Sequence, residues 1–209
     1  MIPQRSKIKL IFEEQSKTLA ESFYSLMEGQ IIHIYTELVN MECEFFLNSE
    51  KATMFINFIM HQFFRTPLLR NIYTVATHSL PNIELSKVWV IESHIYATNV
   101  GAGIFVEKDA YQFLFLENHT RIPFITADQP IINLNTQHDK DLRLYYPLSP
   151  QLSLVFWKGS PPLRMVRQAS TIEVELYNQQ IYRRSTDQIY SNDRDYLIKI
   201  SNSPKNVIL

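Results

Sequence analysis

A chain of 209 residues that is 45% hydrophobic, 12% aromatic and 20% charged has the make-up of an ordinary soluble globular protein with room for one large core. A formal net charge of −1 with scattered basic residues excludes a strong electrostatic footprint for nucleic acid, and four glycines exclude a flexible linker. The lone Cys43 cannot close an internal disulfide and suits a reducing cytoplasm; the apolar runs fall short of the ~20 residues of a membrane span, and no signal-peptide core follows Met1.

Residues 5–27 read as a first helix, with Ile8, Ile11, Phe12, Leu19, Phe23 and Leu26 near helical spacing and Gly29 ending it. Residues 30–39 are ambiguous between strand and helix, and helix through about Phe46 is expected. Ser49 then fits an N-cap for a helix in which Phe55, Phe58, Ile59 and Gln62 share a stripe, with Arg65 on the same side. Thr66-Pro67 reads as an N-cap and first-turn pair opening a helix over 67–79, before a turn at 79–82. Another helix is expected from Glu84 to about Ala97, with 99–103 as a breaker.

The pattern then changes to short branched or aromatic runs: 111–117, 122–127, 131–135, 142–146 and 152–157. Their length and separators predict antiparallel strands. Ser170 caps a helix carrying Ile172, Leu176 and Arg183, with Glu173 and Glu175 in its first turn. Helices before strands imply an α+β fold: a helical N-terminal half packed on a small, mostly antiparallel sheet, with a C-terminal helix. A single domain over 1–209 is expected, mainly helical over 1–100 and mainly strands over 104–160, with a helix at 170–190.

Three stretches stand out in order. They are His61-Gln62-Phe63-Phe64-Arg65-Thr66-Pro67, Pro123-Phe124-Ile125-Thr126-Ala127-Asp128-Gln129-Pro130 and Tyr146-Pro147-Leu148-Ser149-Pro150. The set resembles the family called domain of unknown function 4238, whose members carry a Gln-x-x-Arg-Thr helix, a Phe-Ile-Thr-Ser-Asp-Asn-Pro strand end and a Pro-Leu-Ser-Pro turn. The resemblance covers roughly residues 50–200. Ala127 and Gln129 depart from the family's serine and asparagine, and its His-Tyr-Val-Pro-like opening segment has no counterpart here. The resemblance implies a fold and a site but no assigned activity.

Several chemistries are excluded by inspection. There is no Cys-x-x-Cys or His-Glu-x-x-His for zinc, no phosphate-binding loop, no carboxylate-x-Lys pair and no glycine-flanked serine elbow. Metal and cofactor requirements are left open. What remains is Gln62, Arg65, Thr66, Thr126 and Asp128, polar residues in apolar surroundings. Arg65 and Asp128 are the natural partners, because a guanidinium matches a carboxylate and can share itself with a substrate phosphate or carboxylate.

Of the histidines, His33, His78 and His138 read as surface residues and His94 as core or rim. His61 would point away from Gln62, and His119 would be the one nearest Asp128. The alternating strand Tyr111, Phe113, Phe115 reads as core, and Tyr177, Tyr182, Arg183 and Arg184 as a solvated helix end.

Two functions follow. One is a cytoplasmic hydrolase-like enzyme, a nuclease or a toxin-like defence effector among the variants, with Arg65, Asp128, Thr126 and Gln62 at its site and an anionic small molecule or nucleic acid as substrate. The other is a binding or assembly module, with a protein partner or a second copy, in which the same residues hold the fold together.

Overall fold

A computed structural model describes residues 4–76, 85–135, 139, 141–160 and 162–205, with side chains of 4–17, 19–20 and 85–88 left aside. The expected turn at 79–82, and His78 and His138, lie outside the described residues. The α+β architecture is as expected. A helical N-terminal half lies on one face of a five-stranded, mostly antiparallel sheet, and the C-terminal helices lie on the other. No helix among the described residues is long and apolar enough to cross a membrane.

The first helix, α1, runs unbroken over Gln4–Val39, so Gly29 does not end it and the ambiguous 30–39 stretch is helical. Met27, Ile31, Ile34 and Leu38 explain why: their i, i+4, i+7, i+11 spacing makes one buried stripe through the glycine. Helix does not continue to Phe46. The chain turns at Met41, in the left-handed region at φ 60°, and re-forms as a short 3-10 turn over Glu44–Leu47. Helix α2 (Ser49–Phe64) is capped by Asn48 rather than Ser49, the Asn48 side chain accepting from the Glu50 and Lys51 N–H groups at 3.0 Å.

Helix α3 (Pro67–Ala76) begins at Pro67 as expected. The Thr66 hydroxyl, however, donates back to the Phe63 carbonyl at 3.2 Å instead of capping the new helix. Helix α4 (Leu85–Val106) passes straight through the expected breaker at 99–103. Gly101 sits at a close approach of α4 to α2: a Cβ on it would lie 3.2 Å from Ile56 Cγ2 and 3.6 Å from Met60 Cγ, so a side chain here would require Ile56 to give way.

The strands are β1 (Tyr111–Glu117), β2 (Thr126–Ala127), β3 (Ile132–Asn133), β4 (Arg143–Ser149), β5 (Leu152–Lys158), β6 (Arg164–Gln168) and β7 (Ile189–Tyr190). The main sheet has the order β3-β4-β5-β1-β6, antiparallel except for β1 with β6, and β2 pairs with β7 in a separate ribbon. The expected strand at 122–127 is therefore shorter, two residues, and β6 was not foreseen. Helices α5 (Thr171–Arg184) and α6 (Arg194–Ser201) complete the chain.

The sheet has a core on each face. Tyr111, Phe113 and Phe115 point to the helical half with Leu154 and Phe156, while Leu114, Leu116, Tyr145 and Val155 point to α5 and α6. In the first core Phe46 meets Phe113 and Phe156 edge-on at 5.1 and 5.6 Å, contacts each worth about 0.5–1.5 kcal/mol beyond the burial of the rings. In the second, Asn178 of α5 is fully buried. It accepts from the Ile125 N–H at 3.0 Å and donates to the Pro123 carbonyl at 2.8 Å, which satisfies the irregular backbone leading into β2. The expected solvated helix end is half covered: the Tyr182 hydroxyl donates to the Ser201 carbonyl and ties α5 to α6, and Tyr177 stacks on Tyr145 at 4.4 Å.

Candidate functional site

A group of interacting polar side chains lies where α1, α2, α4 and β4 meet. Arg65 ends α2, its N–H donating to the His61 carbonyl at 3.0 Å, and its side chain turns back toward α1. Arg65 Nη2 donates to Gln62 Oε1 at 2.7 Å and to Glu28 Oε1 at 3.0 Å, and the guanidinium carbon sits 4.9 Å from the centre of the Tyr24 ring. A cation over a tyrosine face is attracted by the ring quadrupole, so three groups orient one guanidinium. The Arg65 side chain is 30% exposed and Glu28 is 49% exposed, so the pair is open to solvent. Gln62 is buried and presents its amide oxygen to the arginine, as its place on an apolar stripe implied.

Tyrosines surround this pair. Tyr35 Oη donates to the Leu148 carbonyl at 2.7 Å, which joins α1 to the Pro-Leu-Ser-Pro turn. Burial pushes the Tyr146 phenol up, with Tyr35 adding to the effect and the positive charge of Arg65 opposing it. Tyr24 is also raised by burial, with Arg65 and the Ser93 hydroxyl working the other way.

Beside them is a histidine pair. His61 Nδ1 lies 2.7 Å from the Asn57 carbonyl and Nε2 lies 2.8 Å from His94 Nδ1. A carbonyl only accepts, so His61 carries its proton on Nδ1, its Nε2 accepts, and His94 Nδ1 is the donor. Burial pulls the His61 imidazole below its ordinary value; the Asn57 bond opposes that, and His94 and Arg65 reinforce it. Phe23 covers both rings, 5.2 Å from His61 and 4.9 Å from His94.

Asp128 is elsewhere in the bonding scheme. It follows the end of β2, as the sequence suggested, but its partner is not Arg65. Oδ1 and Oδ2 accept the Thr186 N–H at 2.9 and 3.2 Å, and Oδ2 also accepts the Asp187 N–H at 2.7 Å. The carboxylate closes the turn between α5 and β7. Arg65 had a nearer carboxylate, Glu28, which lies 37 positions upstream on a helix expected to stop beforehand. Gln129 is buried and joins the second stretch to the first, donating to the Ile131 carbonyl at 2.5 Å and the Phe63 carbonyl at 3.4 Å.

Thr126 pairs with Tyr190 through the backbone and lines a cleft of about 310 Å³ with Pro147, Leu148, Tyr190 and Asn192. An adjoining cleft of about 420 Å³ includes Asn118, Arg121, Gln151 and Arg194. His119 is exposed and makes no bond to Asp128, and His33 is exposed. Among the described residues no group of three or more His, Cys, Asp or Glu side chains could hold a metal ion.

The geometry thus joins Gln62 with Arg65 and leaves Asp128 and Thr126 outside that hydrogen-bonded group. Glu28 and Tyr24 were not singled out in the sequence, Tyr146 was named only as part of its stretch, and His61 was not foreseen to meet His94. One signal was available: His61 lies four residues before Arg65, so both recur on one side of α2.

Residues 10–195 match the model of the family described as Protein of unknown function (DUF4238). The chain belongs to this family. In this DUF4238 chain the three stretches that suggested the relationship are joined by hydrogen bonds, from Gln129 to the Phe63 carbonyl and from the Phe124 N–H to the Pro150 carbonyl at 3.0 Å. No curated protein matches the chain. No solved structure matches it either.

Proposed function

We propose that this protein is hydrolase-like and holds the anionic group of its substrate, a carboxylate or a phosphate, on Arg65. The observation that carries the reading is the Arg65–Glu28 contact. The guanidinium is aimed by Gln62 and Tyr24 and uses Nη2 for both oxygen partners, which leaves its other N–H donors without a hydrogen-bond partner among the described residues. Glu28 is half exposed, so a carboxylate-bearing ligand can take its place at little cost. In this reading Asp128 is a structural anchor outside the reacting set, which its bonds to Thr186 and Asp187 support, and Thr126 belongs to the β2–β7 ribbon. A nuclease or defence-effector role draws no separate support from these placements.

The binding-module reading keeps one observation of its own, the pair of clefts beside Thr126 and Arg121, which suits an extended partner segment. The two cores share one sheet, which supports treating 1–209 as one folding unit. The buried free thiol of Cys43 is consistent with the reducing cytoplasm inferred from the sequence.

Isothermal titration with inorganic phosphate and with glutarate tests the anion site. Wild type should bind one of them, Arg65→Ala should bind neither, and Glu28→Gln should bind several-fold more tightly because the internal competitor is gone. Equal binding by wild type and Arg65→Ala would remove Arg65 from the site.

A further inference from the structure

We infer that His94, held in place by His61, is the general base of the Arg65 site. This deepens the anion-binding reading and rests on it. The relay has three members with fixed directions. The Asn57 carbonyl accepts from His61 Nδ1 at 2.7 Å, so the buried His61 must offer its Nε2 lone pair, and His94 Nδ1 donates to it at 2.8 Å. That leaves the lone pair of His94 on Nε2. His94 is exposed, and its Nε2 has no hydrogen-bond partner among the described residues.

An imidazole free in water prefers the opposite arrangement, with the proton on Nε2, so the pair imposes the basic face outward. This is how an orienting group prepares a base for catalysis: it fixes tautomer and ring direction before substrate arrives. Phe23 packs at 4.9 Å on the His94 ring and holds its plane.

The relay and the anion site are neighbours. Tyr24 of α1 has its ring 6.2 Å from that of His61 and 4.9 Å from the Arg65 guanidinium carbon, and Arg65 of α2 is close enough to disfavour a proton on His61. Glu28 of α1 faces the same group through Arg65. In the step we assign, His94 Nε2 takes a proton from water as the water oxygen attacks the carbonyl carbon of an ester whose carboxylate lies on Arg65. An O–H bond breaks and an N–H bond forms. The new imidazolium charge on His94 is stabilised by the His61 Nε2 lone pair. Collapse of the adduct expels the alkoxide, and the same proton passes to it, so His94 returns neutral and no redox partner is consumed. His94 is the catalytic residue and His61 a positioning residue.

Two measurements on the full chain decide the matter. Long-range proton–nitrogen spectra of the wild type near pH 8 should show both His61 and His94 as the Nδ1–H tautomer, whereas His33 and His119, exposed and unpaired in this way, should show Nε2–H. The second measurement is hydrolysis of mono-4-nitrophenyl glutarate, which carries a free carboxylate for Arg65. His94→Gln, which replaces an exposed side chain, should lower kcat about a hundredfold. Arg65→Ala should raise KM more than it lowers kcat.

An Nε2–H tautomer at His94, no wild-type turnover, or equal rates in wild type and His94→Gln would each overturn the assignment. Glutarate binding without turnover would overturn it while leaving the anion site standing. Absence of glutarate and phosphate binding together with normal turnover and a hundredfold His94→Gln loss would instead sink the Arg65 reading and keep the base.

Discussion

Asp128 holds Thr186 with both carboxylate oxygens, at 2.9 and 3.2 Å, across 58 positions of sequence. With the Asp187 N–H at 2.7 Å, this carboxylate fixes the exit from α5 against the end of β2. Hydrogen bonds to a charged group are worth about 1.5–3 kcal/mol each in net terms, and they are not additive here because the donors are neighbours. Asp128→Ala should lower the unfolding free energy in urea by about 2–3 kcal/mol, and Asp128→Asn, which keeps one acceptor, by about 1 kcal/mol. Arg65→Ala should cost less than about 1 kcal/mol, since its ion pair is open to solvent. If Arg65→Ala proves as costly as Asp128→Ala, Arg65 is architecture and not a ligand-binding group.

Three glycines inside helices give a matched set of substitutions. Gly29 and Gly103 have nothing within 4 Å of a built Cβ, so Ala at either should stabilise by about 0.5–1 kcal/mol through helix propensity. Gly101→Ala places a methyl 3.2 Å from the side chain of Ile56, which is itself buried between the helices. That close approach should cancel the propensity gain and leave a net loss of about 1 kcal/mol. Thermal unfolding of the three variants checks the order. A stabilised Gly101→Ala would mean that α2 and α4 can separate without penalty.

Stability should fall on acidification in two separate steps. The Arg167 guanidinium, with the Ser170 N–H, lowers the Glu173 carboxyl to about 2 from its ordinary 4.5. A carboxyl lowered by folding binds fewer protons in the folded chain, so its stabilisation is complete above 4.5 and disappears as pH falls toward 2. His61 is lowered by burial from 6.5, and the same sign applies: its contribution is complete above 6.5 and is lost below that. Tm against pH should therefore slope between 6.5 and 5 in the wild type and be flatter there in His61→Gln. Glu173→Gln should flatten only the limb below 4.5. A wild-type Tm that is level from pH 7 to 5 would contradict the buried neutral His61.

Cys43 supplies a probe of unfolding. Burial, with Glu44 beside it, pushes the thiol up to about 12, so thiolate is scarce at neutral pH. A disulfide reagent at pH 8 should leave the native protein unlabelled and react at the rate of global opening. Labelling within seconds in buffer would place Cys43 at a surface.

The strongly periodic parts of the chain were legible because their chemistry is local. Ser170 and Glu173 form a capping box, each bonding the other's backbone, and that can be read from two residues three apart. The alternation of Tyr111, Phe113 and Phe115 against Leu114 and Leu116 likewise foretold which rings share a face. Gly29 and Gly101 misled because a glycine inside a helix, whether open like Gly29 or packed against a neighbour like Gly101, looks in sequence like one that stops a helix. Strand β6 was hidden by Arg164, Arg167 and Gln168, polar residues suited to an exposed sheet edge. The Arg65 partner was misjudged for a different reason. Type and spacing identify groups that need a partner, but Glu28 and Asp128 are equally good carboxylates on paper, and only the path of α1 chooses between them. His61 and His94, 33 positions apart, meet for the same reason.

The aromatic contacts of Phe45, Phe46 and Phe55 with Phe113 and Phe156 have a consequence for synthesis. The helical half is made first, yet the rings that close its core arrive only with β1 and β5. At about 5–20 residues per second, a ribosome needs on the order of ten seconds to pass from Phe46 to Phe156. Until Phe113 emerges, and in part until Phe156 follows it, the nascent helices carry an aromatic surface that lacks its partners from the sheet. Yield in a cell should accordingly respond to growth temperature and to chaperones that hold emerging chains, and pausing the ribosome before β5 should convert soluble product into aggregate.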